Sequence, residues 1–346
     1  MGRPFLRKIS SCGRNGKMPY RNQMDNQREK KGLIMRNKPA FWNNSKPFYD
    51  LKSYWRNTFG ANVYKLPLDV GFTCPNRDGT LGTSGCSYCD GRGSRLRKEG
   101  SLPTVAQQIA KGKDYYRQAR GAHHFIAYFQ TFTNTYAPLD TLRKFYDEAL
   151  AQDMVIGLAI GTRPDCIDAD KLSLLAAYAQ NYHIWIEYGV QSLHNKTLTA
   201  IGRGHSAECF LEAVKKTAGR GIHICAHIIL GLPNETKDEM LETARAIAQL
   251  PIDGIKIHSL LALRGTPLGD AYLRGEITMM ELGKYTTLVS DILELLPPQM
   301  VIQRLTADGY KDIFLAPAWA INKLTVLNAI ERELLSRGSF QGARFE

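Results

Sequence analysis

"VYKLPLDVGFTCPNRDGTLGTSGCSYC", Val63–Cys89, runs from a strand-like apolar stretch into a glycine-rich loop holding three of the chain's seven cysteines. Val63–Val70 is short and little interrupted by polar residues, the character of a strand buried on both faces. Cys74 is followed by eleven residues, after which Cys86 and Cys89 close a C-x-x-C pair. Whether this strand begins a series decides the fold. Similar runs recur at His124–Phe129, Met154–Ile160, His183–Tyr188, His223–Leu230 and Gly254–Ser259. Helix-like stretches separate them at Thr104–Ala119, Leu139–Ala151, Asp170–Gln180, Ser206–Gly219 and Thr236–Leu250. Asp170, Ser206, and Asn234 or Thr236 are the N-cap candidates. Six βα units without a pause predict an α/β protein whose parallel sheet forms a complete or partial barrel.

Function in such a sheet belongs in the loops after the strands' C-terminal ends. TCPNRDGT, QTFTNTYAP, GTRPD, GVQS, GLPNET and LLALRGTP follow the six runs and are rich in Gly, Pro or small polar residues. The segments entering the strands are plainer, so the unusual chemistry gathers at one rim. After Pro267 the pattern turns helical over Met279–Leu296 and Lys323–Ser336, with one further strand candidate at Met300–Leu305. The expected division is a basic segment over 1–45, a core over 46–298 and an α/β extension over 299–346 packed on the barrel.

With 44% hydrophobic and 23% charged residues, the 346-residue chain has an ordinary globular composition. No apolar run reaches the length of a membrane span, and the N-terminus lacks the apolar core of a signal peptide. Leu6 stands where a myristoylation signal needs Ser or Thr. Scattered cysteines in odd number suit a reduced compartment, and cytoplasm is the expectation. Of the net charge of +12, residues 1–34 carry +7 through nine Lys/Arg against Asp25 and Glu29. This polar head has no periodic apolar face and reads as disordered: an RNA-binding arm, a transit segment, or sequence upstream of an alternative start at Met35.

The three cysteines are short of a zinc site, which needs four ligands. His123 or His124 is the nearest candidate for a fourth, and no Glu stands beside the ligands as in zinc deaminases. A redox C-x-x-C leaves Cys74 unexplained. A [4Fe–4S] cube normally takes four thiolates, and with three it keeps one iron open for a substrate or cofactor. Glycines at 71, 79, 82, 85, 91 and 93 suit a loop wrapped around such a cube, and Tyr88 adds an aromatic face. The cube accounts for more of the loop; zinc stays open as its rival.

A cysteine triad on the loop after the first strand, with an aromatic residue before the last cysteine, resembles the radical S-adenosylmethionine (radical SAM) superfamily. The eleven-residue gap departs from the common C-x-x-x-C-x-x-C and resembles the branch that includes the Elongator catalytic subunit. CPNRDGTLGTSGCSYC, AYFQTFTNTYAP, IGTRPDCI, EYGVQS, GRGH, HIILGLPNET, KIHSLLALRGTPL and LAPAWAINKLTVLNAIERELLSRGSFQG together resemble YhcC/YtqA-type proteins from Phe48 to Gly342. The resemblance implies a partial (β/α)6 TIM-like barrel with a C-terminal α/β extension. It also implies a [4Fe–4S] cluster on Cys74, Cys86 and Cys89, S-adenosylmethionine (SAM) on the fourth iron, and a flavodoxin- or ferredoxin-like electron donor.

The rim motifs are then read against the need to hold SAM. Gln130, Thr133 and Asn134 are candidates for its amino group, with turn chemistry as the plain alternative. Glu187, a carboxylate in a buried strand, needs a partner and is a candidate for ribose or ammonium. Arg203 is a candidate for the SAM carboxylate. Tyr88 and Gly231 complete the cofactor set, Gly231 by letting backbone approach adenine. Arg163 and Asp165 line the substrate side or pair with each other. Cys166, Cys209 and Cys225 read as small core residues, and His205, His223, His227 and His258 as structural histidines.

Two features bear on substrate. Lys38–Gly60 interleaves Lys38, Lys46, Lys52 and Arg56 with Phe41, Trp42, Phe48, Tyr49, Tyr54 and Trp55, the pattern for RNA stacking or for a helix packing its aromatics on the barrel. Arg92, Arg95, Arg97 and Lys98 follow the cysteine loop and place positive charge near its mouth. The resemblance implies tRNA wobble uridine, with remodelling of a 5-aminomethyl-type side chain. No segment has room for the acetyltransferase domain that accompanies the Elongator subunit. The alternatives are a radical SAM enzyme acting on a porphyrin-type metabolite and a non-enzymatic cluster protein that binds RNA or senses redox state.

Overall fold

A computed structural model describes residues 32, 37–93, 102–309 and 311–346. Apart from Gly32, the basic head falls outside the described residues, as do Met35, Arg95, Arg97 and Lys98. Helix α1 (Leu51–Phe59) enters strand β1 (Val63–Leu68), and α2 (Val105–Arg120), β2 (His124–Phe129), α3 (Leu139–Leu150) and β3 (Val155–Thr162) follow. Next come α4 (Ala169–Ala179), β4 (His183–Gln191), α5 (Asn195–Ala200), α6 (Ala207–Thr217), β5 (His223–Leu230), α7 (Lys237–Ala248) and β6 (Gly254–Ser259). The C-terminal part holds β7 (Ala262–Leu263), α8 (Pro267–Leu273), α9 (Leu282–Leu295), β8 (Val301–Arg304), β9 (Phe314–Ala316) and α10 (Lys323–Arg337).

β1 to β6 lie side by side in chain order, all parallel, and β8 adds a seventh strand beside β6. The sheet curves into a half-barrel with β1 and β8 at its two edges. The segment expected as an extension therefore supplies a strand of the main sheet. Helix starts follow local chemistry: Thr104 with Gln107 and Thr236 with Glu239 form capping boxes, and Ser206 caps α6. Asp168, not Asp170, caps α4, because its carboxylate accepts from the Lys171 N–H while Asp170 falls inside the first turn.

Strand alternation sorts the core. Phe125, Ala127, Phe129, Leu158, Ile160, Ile184 and Ile186 face the helices. Ile126, Tyr128, Ala159, Trp185 and Cys225 face the lumen, where they meet Trp42, Tyr49 and Trp55. Helix α1 touches both edge strands, β1 and β8, and so bridges the open side of the half-barrel at its base. Its entry is pinned there: Ile302 N–H donates to Tyr49 O at 2.8 Å, and Trp42 Nε1 donates to Pro298 O at 2.8 Å. Gln341 closes the corner, accepting from Tyr49 N–H at 2.9 Å and donating to the carbonyls of Pro297 and Met300 at 2.7 and 2.8 Å.

This overturns the stacking reading of Lys38–Gly60. Trp42, Phe48, Tyr49 and Trp55 are buried, and only Phe41 of the large aromatics there is exposed. Rings that plug an apolar lumen gain more from burial than solvent-facing ones can, and they are not available to bases. No helix among the described residues is long and apolar enough to cross a membrane. Trp55→Ala is expected to lower stability by about 3–5 kcal/mol, read from urea unfolding. A stability loss under about 1 kcal/mol would be inconsistent with a plug.

Candidate active site

The cysteine loop is folded by its own backbone before it meets the barrel. Cys74 O accepts from the N–H groups of Arg77 and Asp78 at 2.8 and 3.2 Å, and Cys86 O accepts from Cys89 N–H at 2.9 Å. Gly85 holds φ +76°, where a Cβ would meet the Arg77 guanidinium at 2.6 Å. Arg77 uses that space to donate to the carbonyls of Cys89 and Asp90 at 2.7 and 2.8 Å. Asn76 anchors the loop to the GRGH turn, donating to Gly202 O at 2.9 Å and Arg203 O at 3.0 Å.

All three cysteines line one cavity of about 600 Å³ at the C-terminal ends of the strands. Gln130, Thr133, Arg163, Glu187 and Arg203 share its wall, as does Tyr88 between the paired cysteines. Cys74 Sγ lies 4.0 Å from Arg163 Nη1, and Cys86 Sγ lies 3.4 Å from Asn76 Nδ2 and 3.7 Å from Arg203 Nη1. Burial alone would raise the Cys86 thiol, but the charge and hydrogen bond of Arg203 outweigh it and hold the thiol below its ordinary value. Burial pushes the Cys89 thiol up, with Arg77 opposing. Arg203 is buried, donates to Gly189 O, and its Nε has no hydrogen-bond partner among the described residues. Gly189 makes this approach possible, since a Cβ there would meet Arg203 Nη2 at 2.8 Å.

Among the described residues no three His, Cys, Asp or Glu side chains converge closely enough to hold one metal ion. His123 and His124 border a different cleft at the opposite, N-terminal end of the strands, with Asn62 and Arg56. A zinc site therefore gains no fourth ligand from them. A cube takes one thiolate per iron at separate corners and does not require convergence. Three thiols on one wall, two buried arginines behind them and an orphaned N–H donor fit such a group.

The remaining expectations divide. Arg163 makes a two-pronged pair with Asp165 at 2.7 and 2.8 Å; Arg163 lines the cavity and Asp165 does not. Asn134 does not line the cavity; its Nδ2 donates to Gly161 O at 2.9 Å and braces the loop, while its buried Oδ1 has no partner among the described residues. Gly231 is also outside it: its φ of +89° makes a turn, and its N–H points at Met240 Sδ. Arg92 is ion-paired with Asp90 and Asp312 at 2.9 and 3.3 Å. Phe132 and Gln191, both cavity-lining, hold the unusual φ values of +60° and +74°.

Glu187 has no solvent exposure, and its oxygens are taken by Lys65, Lys256 and His227, the last at 3.0 Å. Burial opposes its ionisation, but the two lysines overrule it and hold the carboxyl well below its usual range. Lys256 also donates to Tyr128 Oη at 2.9 Å, and Lys65 donates to Gln303 Oε1 at 2.7 Å. Sequence reading missed both lysines, although a lysine within the apolar runs VYKLPL and GIKIHS carries the same signal that singled out Glu187.

Residues 73–247 match the Radical SAM superfamily and residues 252–336 the Radical_SAM C-terminal domain. The Bacillus subtilis protein YtqA is 41% identical over 314 residues, covering 90% of this chain and 98% of YtqA. The chain belongs to the radical SAM superfamily. A tRNA uridine(34) acetyltransferase of Dehalococcoides mccartyi is 29% identical over 161 residues, covering 46% of this chain and 34% of that one. The solved structure of the archaeal Methanocaldococcus infernus Elp3 with an N-terminal deletion superposes with a TM-score of 0.63 at 15% identity, covering 81% of this chain and 64% of that one. That superposition shows a shared fold, and the radical SAM half-barrel is the frame in which the cysteine cavity sits.

The buried floor has a pH signature. Burial pushes Lys256 down to about 8 from 10.5, only partly opposed by Glu187. Between those values the unfolded chain binds the proton that the folded one has released, so this residue's contribution makes stability rise with pH. Wild type is expected to gain on the order of 2 kcal/mol over Lys256→Met between pH 8 and 10.5. Denaturation curves across that window check it; parallel profiles would contradict the burial of a charged lysine.

Proposed function

We propose that the cavity is the reaction chamber of a radical SAM enzyme whose Cys74, Cys86 and Cys89 hold a [4Fe–4S] cluster and whose substrate is a tRNA wobble uridine carrying an aminomethyl-type side chain. The observation that carries the chamber is the meeting of all three cysteines with the buried Arg163 and Arg203 in one cavity. Once bound, the cluster and SAM supply a carbon-centred radical able to take a hydrogen atom from an unreactive C–H bond.

The chain's own residues do the rest. Arg203 and Asn76 favour the thiolate of Cys86, and Arg77 fixes the C-x-x-C carbonyls. Arg203, which lines the cavity with an unpartnered Nε–H, would serve an anionic cofactor group. Gln130, Thr133 and Gln191 give the upper wall polar atoms suited to amino and hydroxyl groups. The Tyr88 ring packs against the cluster of Leu198, Ile201 and Leu268 and stiffens the loop beside its last cysteine. The apolar plug below keeps water from entering through the base.

Support for tRNA comes from the similarity to the tRNA uridine(34) acetyltransferase and from the net charge of +12, which suits a polyanionic partner. A flavodoxin- or ferredoxin-like donor would deliver the electron.

Cys89→Ala in the cluster-reconstituted protein is expected to lower formation of 5′-deoxyadenosine roughly 100-fold or more. Retained cleavage would sink the cluster assignment. Mass spectrometry of tRNA nucleosides from a deletion strain is expected to show an altered wobble uridine. An unchanged profile, with SAM cleavage intact, would leave a small metabolite as the substrate.

A further inference from the structure

The floor of the cavity holds a charge that the chemistry above does not use. Lys65 and Lys256 face a single carboxylate, Glu187, which is fully buried. His227 and His258 do not balance or add to them, since burial holds both rings neutral, His227 lowered to about 4 and His258 well below its ordinary value. On this side Arg304 and Lys323 share one carboxylate, Asp308, which lies 3.2 Å from Arg304. Among the described residues the two lysines thus exceed their shared carboxylate by one positive charge, in a place where an unpaired charge is costly.

Position says which lysine carries the surplus. Lys65 does not line the cavity; it lies behind the wall and neutralises Glu187 from there, with Gln303 as its second acceptor. Lys256 does line the cavity, and Glu187 and Tyr128 occupy two of its three N–H donors. In register with it are His227 on β5 and Arg304 on β8, both of which also line the cavity. β6 and β8 stand at the far end of the sheet order from β1, the strand that delivers the cysteine loop. The curvature of the half-barrel nonetheless brings the cysteine loop to that side, where Tyr88 and Cys89 line a smaller pocket together with His227 and His258.

We infer that Lys256, with Lys65 behind it, is a subsite for an anionic oxygen group of the substrate, a carboxylate or a phosphate. The inference rests on the reading of this cavity as the reaction chamber. An oxyanion there meets the Lys256 ammonium with Arg304 beside it, and its arrival neutralises the floor.

The test is thermal unfolding of the cluster-loaded protein in rising acetate and, separately, inorganic phosphate, each against chloride at matched ionic strength. One of the two oxyanions is expected to raise the midpoint by several degrees beyond chloride, and which one does so separates carboxylate from phosphate. Lys256→Met leaves Lys65 and Glu187 as a neutral pair and is expected to weaken that oxyanion about tenfold or more. Lys65→Gln is the second variant, and it touches no cavity wall. It too should weaken the oxyanion, because Lys256 must then neutralise Glu187. No oxyanion effect in wild type, or an unchanged effect in both variants, overturns the subsite. Loss of the effect in saturating SAM would assign the site to the carboxylate of SAM and overturn its assignment to the substrate. Absence of 5′-deoxyadenosine formation would sink the reaction-chamber reading by itself, while the oxyanion titration would still stand.

Discussion

A carboxylate with no access to water must be matched by cations, and Glu187 is matched by lysines from the first and sixth strands and hydrogen-bonded by a neutral histidine from the fifth. The two lysine contacts cross the lumen and tie together strands that are not neighbours in the sheet, while His227 reaches Glu187 from the adjoining strand. They also divide it. Below Glu187 the lumen is dry and aromatic, packed by Trp42, Tyr49, Trp55 and Trp185. Above it the walls are polar and the cysteines open onto the same space. Apolar packing cannot continue past a layer of buried charge, so the reactive end of the barrel begins where the plug stops.

The cysteine loop is held by contacts of another kind. Its turns come from its own backbone, but its place on the rim comes from Asn76 reaching the GRGH turn and from Ser87 N–H donating to Ile201 O at 2.9 Å. Gly204 lets Asn76 in, since a Cβ there would meet Asn76 Oδ1 at 2.5 Å. The same turn delivers Arg203 to Cys86. One short motif therefore positions the loop and supplies its cation, which explains how residues more than a hundred positions apart in the chain act as a unit.

The sheet's order was readable because each strand–helix repeat is a local pattern of apolar runs and caps. All six strand-like runs became strands, and Met300–Leu305 became β8. The seventh strand's pairing with β6 was not readable, because pairing is a long-range choice that periodicity does not carry. Asp170 shows a smaller limit: two acidic residues stand two positions apart, and the helix start falls where Asp168 can reach Lys171 N–H. The aromatic run Lys38–Gly60 shows a larger one. Its composition suits a stacking surface as well as a buried plug, the plug being the plainer reading, and the open base of the half-barrel decided between them.

The sequence by itself determined the three-cysteine loop, its strand and the βα rhythm, because spacing and periodicity are properties of neighbouring residues. It also marked Glu187 as a buried charge in need of partners. Only the tertiary structure decided who those partners are, that Lys65 stands behind the wall and Lys256 in front of it, and that Asn134 and Gly231 lie outside the cavity. The reason is geometric. Which side of a wall a side chain occupies depends on how the strands curve around the lumen, and that curvature is set by every strand at once.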